Sequence, residues 1–129
     1  MNILVAEDDV ASRKYIVRAL ERYGAVDGAI DGIEAVDLFL DKIEHNESYD
    51  LVCLDIMMPR VDGYKALDAI RDIEEEFNIG KRVKVIMTSA LNEIEQFEPS
   101  KEHKHDGYLM KPIDLNELDQ MINKMGINN

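Results

Sequence analysis

The sequence predicts an α/β fold, a doubly wound sheet of five parallel strands with helices on both faces. Three observations lead there. The clearest strand-like runs, Ile3-Leu4-Val5-Ala6 and Leu51-Val52-Cys53-Leu54, are apolar throughout, as strands covered on both faces are. Amphipathic stretches separate the runs, so strand and helix alternate along the chain. No repeat, low-complexity linker or composition shift divides the 129 residues, a length that suits one core, so residues 1–129 read as a single domain. Right-handed crossovers then restrict the topology to a few doubly wound arrangements.

Taken in order, Ile3 to Ala6 forms the first strand and Glu7-Asp8-Asp9 interrupts it. Ile16, Ala19, Leu20 and Tyr23 recur at helical spacing, and Gly24 reads as the C-terminal cap of that helix. Ala25 to Ala29 is a weak second strand. Asp31-Gly32 turns into a second helix with Ile33, Val36, Leu40 and Ile43 on its apolar side. The polar loop His45-Asn46-Glu47-Ser48 leads to the third strand, which ends on Asp55. A third helix begins near Tyr64, carries Leu67, Ile70 and Ile73, and closes in the acidic run Glu74-Glu75-Glu76. Val83 to Met87 is the fourth strand. The polar stretch from Leu91 to Asp106 contains Pro99, so a fourth helix there is short or irregular. Tyr108-Leu109-Met110 is a short fifth strand, and Asp114 caps a last helix bearing Leu115, Leu118, Met121, Ile122 and Met125.

A net charge of −12 argues against direct binding of nucleic acid or anionic membrane, both of which need a basic footprint. Cys53 is the only cysteine, so no internal disulfide forms, and it reads as a core residue. No apolar segment is long enough to span a bilayer, and the start, Met1-Asn2-Ile3-Leu4-Val5, lacks a signal peptide's charged region. The expectation is a cytoplasmic protein without membrane insertion.

Why does the buried run from Leu51 end on an acid, where burial makes charge expensive? In open α/β sheets, ligands bind beyond the carboxyl ends of the strands, where strand order reverses. Glu7 and Asp8 follow strand one, Asp55 ends strand three, Ser89 follows strand four and Lys111 ends strand five. In the order 2-1-3-4-5, strands one and three are neighbours roughly 5 Å apart, and the three acids converge. Clustered carboxylates repel unless a cation joins them, and such a set suits Mg²⁺ or Mn²⁺. A carboxylate is also a competent nucleophile for phosphoryl transfer. Lys111 and Ser89 would then meet the charge on the transferred group.

These residues resemble the response-regulator receiver domains of two-component signalling, close in size to the single-domain chemotaxis and sporulation regulators. The matching segments are Ile3 to Asp8, Asp31-Gly32-Ile33-Glu34-Ala35, Leu54-Asp55-Ile56-Met57-Met58-Pro59 with Asp62-Gly63, Met87-Thr88-Ser89-Ala90, and Tyr108-Leu109-Met110-Lys111-Pro112. The resemblance implies a flavodoxin-like fold and carries over the strand order 2-1-3-4-5. It makes Asp55 the phosphoacceptor, Asp8 the direct metal ligand and Glu7 its partner through water. The backbone carbonyl of Met57 becomes the third protein ligand, Ser89 the switch hydroxyl, Tyr108 the aromatic switch and Lys111 the phosphate-binding lysine. It also implies a cis peptide at Lys111-Pro112.

The implied donor is a histidine kinase or histidine phosphotransfer protein. The implied output is a protein target at the face made by the fourth helix, fifth strand and last helix, with phosphorylation-dependent dimerisation left open. Lys104-His105 stands where the family commonly has Gly-Ala, so that face departs from the usual one. Asp9 reads as a helix cap, and His103 with His105 as solvated surface. Met57 and Leu91 cannot orient water by hydrogen bonding, which predicts slow self-dephosphorylation.

Two rivals fit less well. A haloacid-dehalogenase-like phosphatase has a second acid two residues after its nucleophile, where Met57 stands. A flavin or nucleotide module needs a phosphate loop after strand one, where Glu7-Asp8-Asp9 would repel phosphate. The chain ends soon after its last helix, consistent with a receiver acting alone or one excised from a longer protein.

Overall fold

The fold comes from a computed structural model, which describes residues 1–90 and 105–127. The described elements are β1 (Asn2–Ala6), α1 (Val10–Leu20), β2 (Ala25–Ala29), α2 (Gly32–Glu44), β3 (Leu51–Asp55), α3 (Gly63–Glu76), β4 (Lys84–Ser89), β5 (Gly107–Met110) and α4 (Leu115–Met125). All strands pair in parallel, in the order β2-β1-β3-β4-β5. This is the expected architecture. The short or irregular fourth helix was expected within Leu91 to Asp106, of which residues 91–104 lie outside the described residues.

Alternate side chains of each central strand feed two cores, because a strand's side chains switch face at every residue. Leu4, Ala6, Val52, Leu54, Val85 and Met87 pack against Phe39 of α2 and Leu67 and Ile70 of α3. Ile3, Val5, Leu51, Cys53 and Ile86 pack on the other face against Ile16 and Leu20 of α1 and Leu118 and Ile122 of α4. A fully buried side chain of this kind contributes about 1.5–3 kcal/mol. Cys53 lies in the second core, and burial pushes its thiol up to about 12.

Each described helix starts on an aspartate whose carboxylate accepts a backbone amide: Asp9 from Ser12, Asp31 from Glu34, Asp62 from Lys65, and Asp114 from Asn116 and Glu117. A cap is worth about 1 kcal/mol. Part of the chain's acidity is therefore ordinary helix chemistry, and the cap expected at Asp9 is present.

Three local expectations change. The first helix ends at Leu20, with Glu21 rather than Gly24 as its cap. Gly24 instead serves close packing: a Cβ there would lie 2.0 Å from the Met1 carbonyl oxygen. On α2, Ile33 is exposed while Ala35, Phe39 and Ile43 form the buried stripe. Gly32, with no side chain, lets the first turn lie close to the loop after β3. Leu115 is likewise exposed, and Leu118 and Ile122 carry the burial of α4.

At the amino ends of β4 and β5 lies a charge network that the acidic run at Glu74 had not suggested. Buried Arg71 donates to the Glu74 carboxylate at 2.7 Å, the Val83 carbonyl at 2.9 Å and the Asp106 carboxylate at 3.3 Å. Glu74 also accepts the Val83 amide at 2.6 Å, and Asp106 accepts the Val85 amide at 2.9 Å. Arg82 and Lys84 approach the two acids at 3.8 and 3.9 Å. Among the described residues no helix is long and apolar enough to cross a membrane.

Candidate functional site

At the carboxyl end of the sheet, β1 leads into Glu7 and Asp8, and β3 ends on Asp55 next door. The pairing Ala6–Leu54 aligns the two strand ends. One carboxylate oxygen from each of Glu7, Asp8 and Asp55 falls within 4.8 Å of the others. Glu7 and Asp55 are buried, whereas Asp8 is exposed. The backbone holds them there. The Asp9 amide donates to the Glu7 carboxylate at 3.2 Å, and the Ile56 amide donates to the Thr88 carbonyl at 2.9 Å.

Lys111, just past β5, reaches over this cluster. Its ammonium donates to Glu7 Oε1 and, at 3.1 Å, to Asp55 Oδ2. Its backbone amide donates to the Ser89 carbonyl at 2.7 Å, and the Lys111–Pro112 peptide is cis, as the resemblance implied. Ser89 is the last residue of β4 rather than the first beyond it, and is fully buried. Its hydroxyl hydrogen-bonds the phenol oxygen of Tyr108. The strand ends thus bring Glu7, Asp8, Asp55 and Lys111 into one cluster, and the Ser89–Tyr108 pair is tied to it through the backbone bond from Lys111 to Ser89.

Met57 follows in the turn after β3. Its amide donates to Asp55 Oδ1 at 3.4 Å and its side chain is exposed. Leu91, paired with it in the expectation about phosphoryl lifetime, lies outside the described residues, as does His103. His105 is half-buried, with its ring edge-on to Tyr64 at 6.4 Å, rather than on the solvated surface expected of it.

One lysine does not balance three acids. Burial first, and the Glu7 carboxylate second, push the Asp55 carboxyl up to about 8 despite Lys111. Burial and Glu7 also raise Asp8. Burial opposes charge on Glu7 too, but its hydrogen bonds to Asp55 and Lys111 outweigh that and hold it below the usual range. The surplus anionic charge, the all-oxygen donor set and the exposed side at Asp8 fit a hard divalent cation that keeps some of its water. Chemically, the arrangement offers a carboxylate nucleophile with a cation-binding set, an ammonium and a hydroxyl around it.

Sequence reasoning missed two residues here, and the first is Arg13 of α1, whose Nη1 donates to the Glu7 carbonyl at 2.8 Å. The second is Arg60, in the loop after β3, which pairs with the Asp31 cap of α2 at 2.6 Å. Nothing in the spacing links two positions so far apart as Asp31 and Arg60.

Comparison with known proteins agrees with the geometry. The family profile described as "Response regulator receiver domain" matches residues 3–123. The probable transcriptional regulatory protein SilR of Salmonella typhimurium is 34% identical over 92% of this chain and 47% of its own length. Among solved structures, the receiver domain of Ssk1 from Saccharomyces cerevisiae, crystallised with the histidine phosphotransfer protein Ypd1, matches with a TM-score of 0.80. It is 26% identical, over 98% of this chain and 88% of that one. The receiver domain of the histidine kinase CKI1 from Arabidopsis thaliana, complexed with Mg²⁺ and BeF₃⁻, matches with a TM-score of 0.77 at 26% identity, over 97% and 89% of the chains. The chain spans less than half the length of these curated relatives, from 5% of a kinase to 47% of a regulator.

Proposed function

The chain belongs to the response regulator receiver domain family, the phosphoacceptors of two-component signalling, and we propose that residues 1–129 act as one receiver that takes a phosphoryl group on Asp55. The observation that carries the residue assignment is the cluster itself. Asp55 ends a buried strand with two further carboxylates within 4.8 Å and the Lys111 ammonium at 3.1 Å.

The donor is a histidine kinase or a histidine phosphotransfer protein. Asp55 presents one carboxylate oxygen to phosphorus. The new O–P bond forms as the P–N bond to the donor imidazole breaks, and the bonding pair leaves with that nitrogen. Glu7, Asp8, Asp55 and the Met57 carbonyl would hold Mg²⁺, or Mn²⁺ in its place. A bound cation supplies positive charge against the phosphoryl oxygens. Lys111 already spans Glu7 and Asp55, so a small shift brings its ammonium onto the incoming group. The receiver assists its own phosphorylation and dephosphorylation and turns over no separate substrate.

The switch begins at Ser89. Its hydroxyl is held by Tyr108, so donating to a phosphoryl oxygen means leaving that partner. Tyr108 is then released to a new position, and the face that includes β5 and α4 changes affinity for a protein target.

Intact-mass measurement after incubation with Mg²⁺ and acetyl phosphate tests the reading. One Mg²⁺-dependent phosphoryl adduct is expected on the wild type and none on Asp55→Asn. An adduct that persists in Asp55→Asn would refute the assignment.

A further inference from the structure

The loop from Ile56 to Asp62 is held in an unusual way. The Gly63 amide donates to the Ile56 carbonyl at 2.9 Å and closes the loop at its base. Ile56 and Met58 are buried, so the near half is anchored in the core, with exposed Met57 between them. The far half turns on Arg60. The Val61 amide donates to the Pro59 carbonyl at 2.8 Å, a three-residue turn that places Arg60 at φ +68°. A residue with a Cβ resists that conformation, and this kind of turn is rare and strained.

What holds it is an ion pair. Arg60 donates from Nη2 at 2.6 Å and from Nε at 3.2 Å to Asp31 Oδ2. Asp31 is buried, and its other oxygen caps α2 through the Glu34 amide at 2.8 Å. The contact surface is close: a Cβ on Gly32 would lie 2.5 Å from the Val61 carbonyl oxygen. The tip of the loop is thus pinned to the start of α2.

We propose that Arg60 is a positioning residue for the cation site: its pair with Asp31 fixes the loop that presents the Met57 carbonyl, and so sets divalent-cation affinity. The inference rests on the cation site proposed above. Arg60 itself touches no member of the cluster among the described contacts. Its effect runs through the backbone of residues 57–60, much as groups outside a coordination sphere tune ligands by orienting them.

Arg60→Gly separates this role from general stability. Glycine accepts a positive φ without strain, so the variant loses the pair while relieving the turn. Affinity is measured on the unphosphorylated protein with Mn²⁺ alone as the probe, by electron paramagnetic resonance, alongside melting temperature. The expected result is Mn²⁺ binding weakened about tenfold, with the melting temperature within about 4 °C of wild type. Arg60→Lys should recover part of the affinity, and Asp31→Asn should lose affinity in step with Arg60→Gly. Unchanged Mn²⁺ affinity in Arg60→Gly would overturn the inference while leaving the receiver reading intact. So would a fall in melting temperature beyond that range, which marks Arg60 as a general stabiliser. A wild type that binds no Mn²⁺ would remove the cation site and the inference together.

Discussion

The two ends of the β-sheet each hold acids, Glu74 buried at one and Glu7 and Asp55 at the other, and they treat them in opposite ways. At the amino end, Glu74 and Asp106 meet Arg71, Arg82 and Lys84, and two backbone amides complete their hydrogen bonds. At the carboxyl end, Glu7, Asp8 and Asp55 meet one ammonium, that of Lys111. A buried charge is costly unless it is paired and hydrogen-bonded. The first end meets that condition within the chain. The second leaves a deficit of positive charge that a cation and a phosphoryl-binding arrangement can use. Balanced buried charge here ties elements together, and unbalanced buried charge marks the place where we propose that a cation binds.

The contrast is sharpest if one charge is removed at each end. Glu74→Gln or Arg71→Met leaves a partner charged and buried at the amino end, and should cost about 3–5 kcal/mol in urea unfolding. Asp55→Asn removes like-charge repulsion at the other end. It should raise stability by about 1 kcal/mol without divalent cation, and on the proposed assignment it should abolish phosphorylation. Two losses of similar size would break the comparison.

Mg²⁺ should act at one end only. At ten times its dissociation constant it should stabilise the wild type by about 1.4 kcal/mol. Arg71→Met should keep that increment, and Asp8→Asn should lose most of it, read as shifts in melting temperature. The pair between Asp31 and Arg60 predicts a smaller, pH-dependent effect. The Glu34 amide and then the Arg60 guanidinium hold the Asp31 carboxyl below its ordinary range, against some desolvation. A depressed folded value means the contribution is fully present above the ordinary aspartate pKa of about 3.9. It is lost as pH falls through the lower folded value. Stability measured between pH 5 and pH 2 should therefore fall less steeply in Asp31→Asn than in the wild type. The smallest effect concerns Cys53. Buried among apolar side chains with its thiol raised to about 12, it should not react with a thiol reagent at pH 8 until the protein is unfolded.

How much of this was legible beforehand depends on how each feature is built. The strands were readable because a strand covered on both faces is an apolar run, and the acids were readable because they stop those runs. Asp55 after Leu51-Val52-Cys53-Leu54 is visible for that reason alone. Helix faces were readable within one turn, but Ile33 and Leu115 show that an apolar residue in the first turn need not face the core.

The network at Glu74 was missed because Glu74-Glu75-Glu76 looks like a solvated helix end. Its spacing held a clue: Glu74 is four residues after Ile70, and Arg71 four after Leu67, so both share the buried stripe. The pair of Asp31 and Arg60 had no such clue. It depends on a non-glycine residue at positive φ and on two loops meeting, which only the folded chain specifies.

The single hydrogen bond between Ser89 and Tyr108 has a thermodynamic consequence. If phosphorylation releases Tyr108 by recruiting Ser89, a target that captures Tyr108 frees Ser89 by the same amount of free energy. Such linkage between binding events is reciprocal. A partner that reads the signal would then also favour the phosphorylated state, and the fraction phosphorylated at a fixed donor level would rise with the concentration of the target.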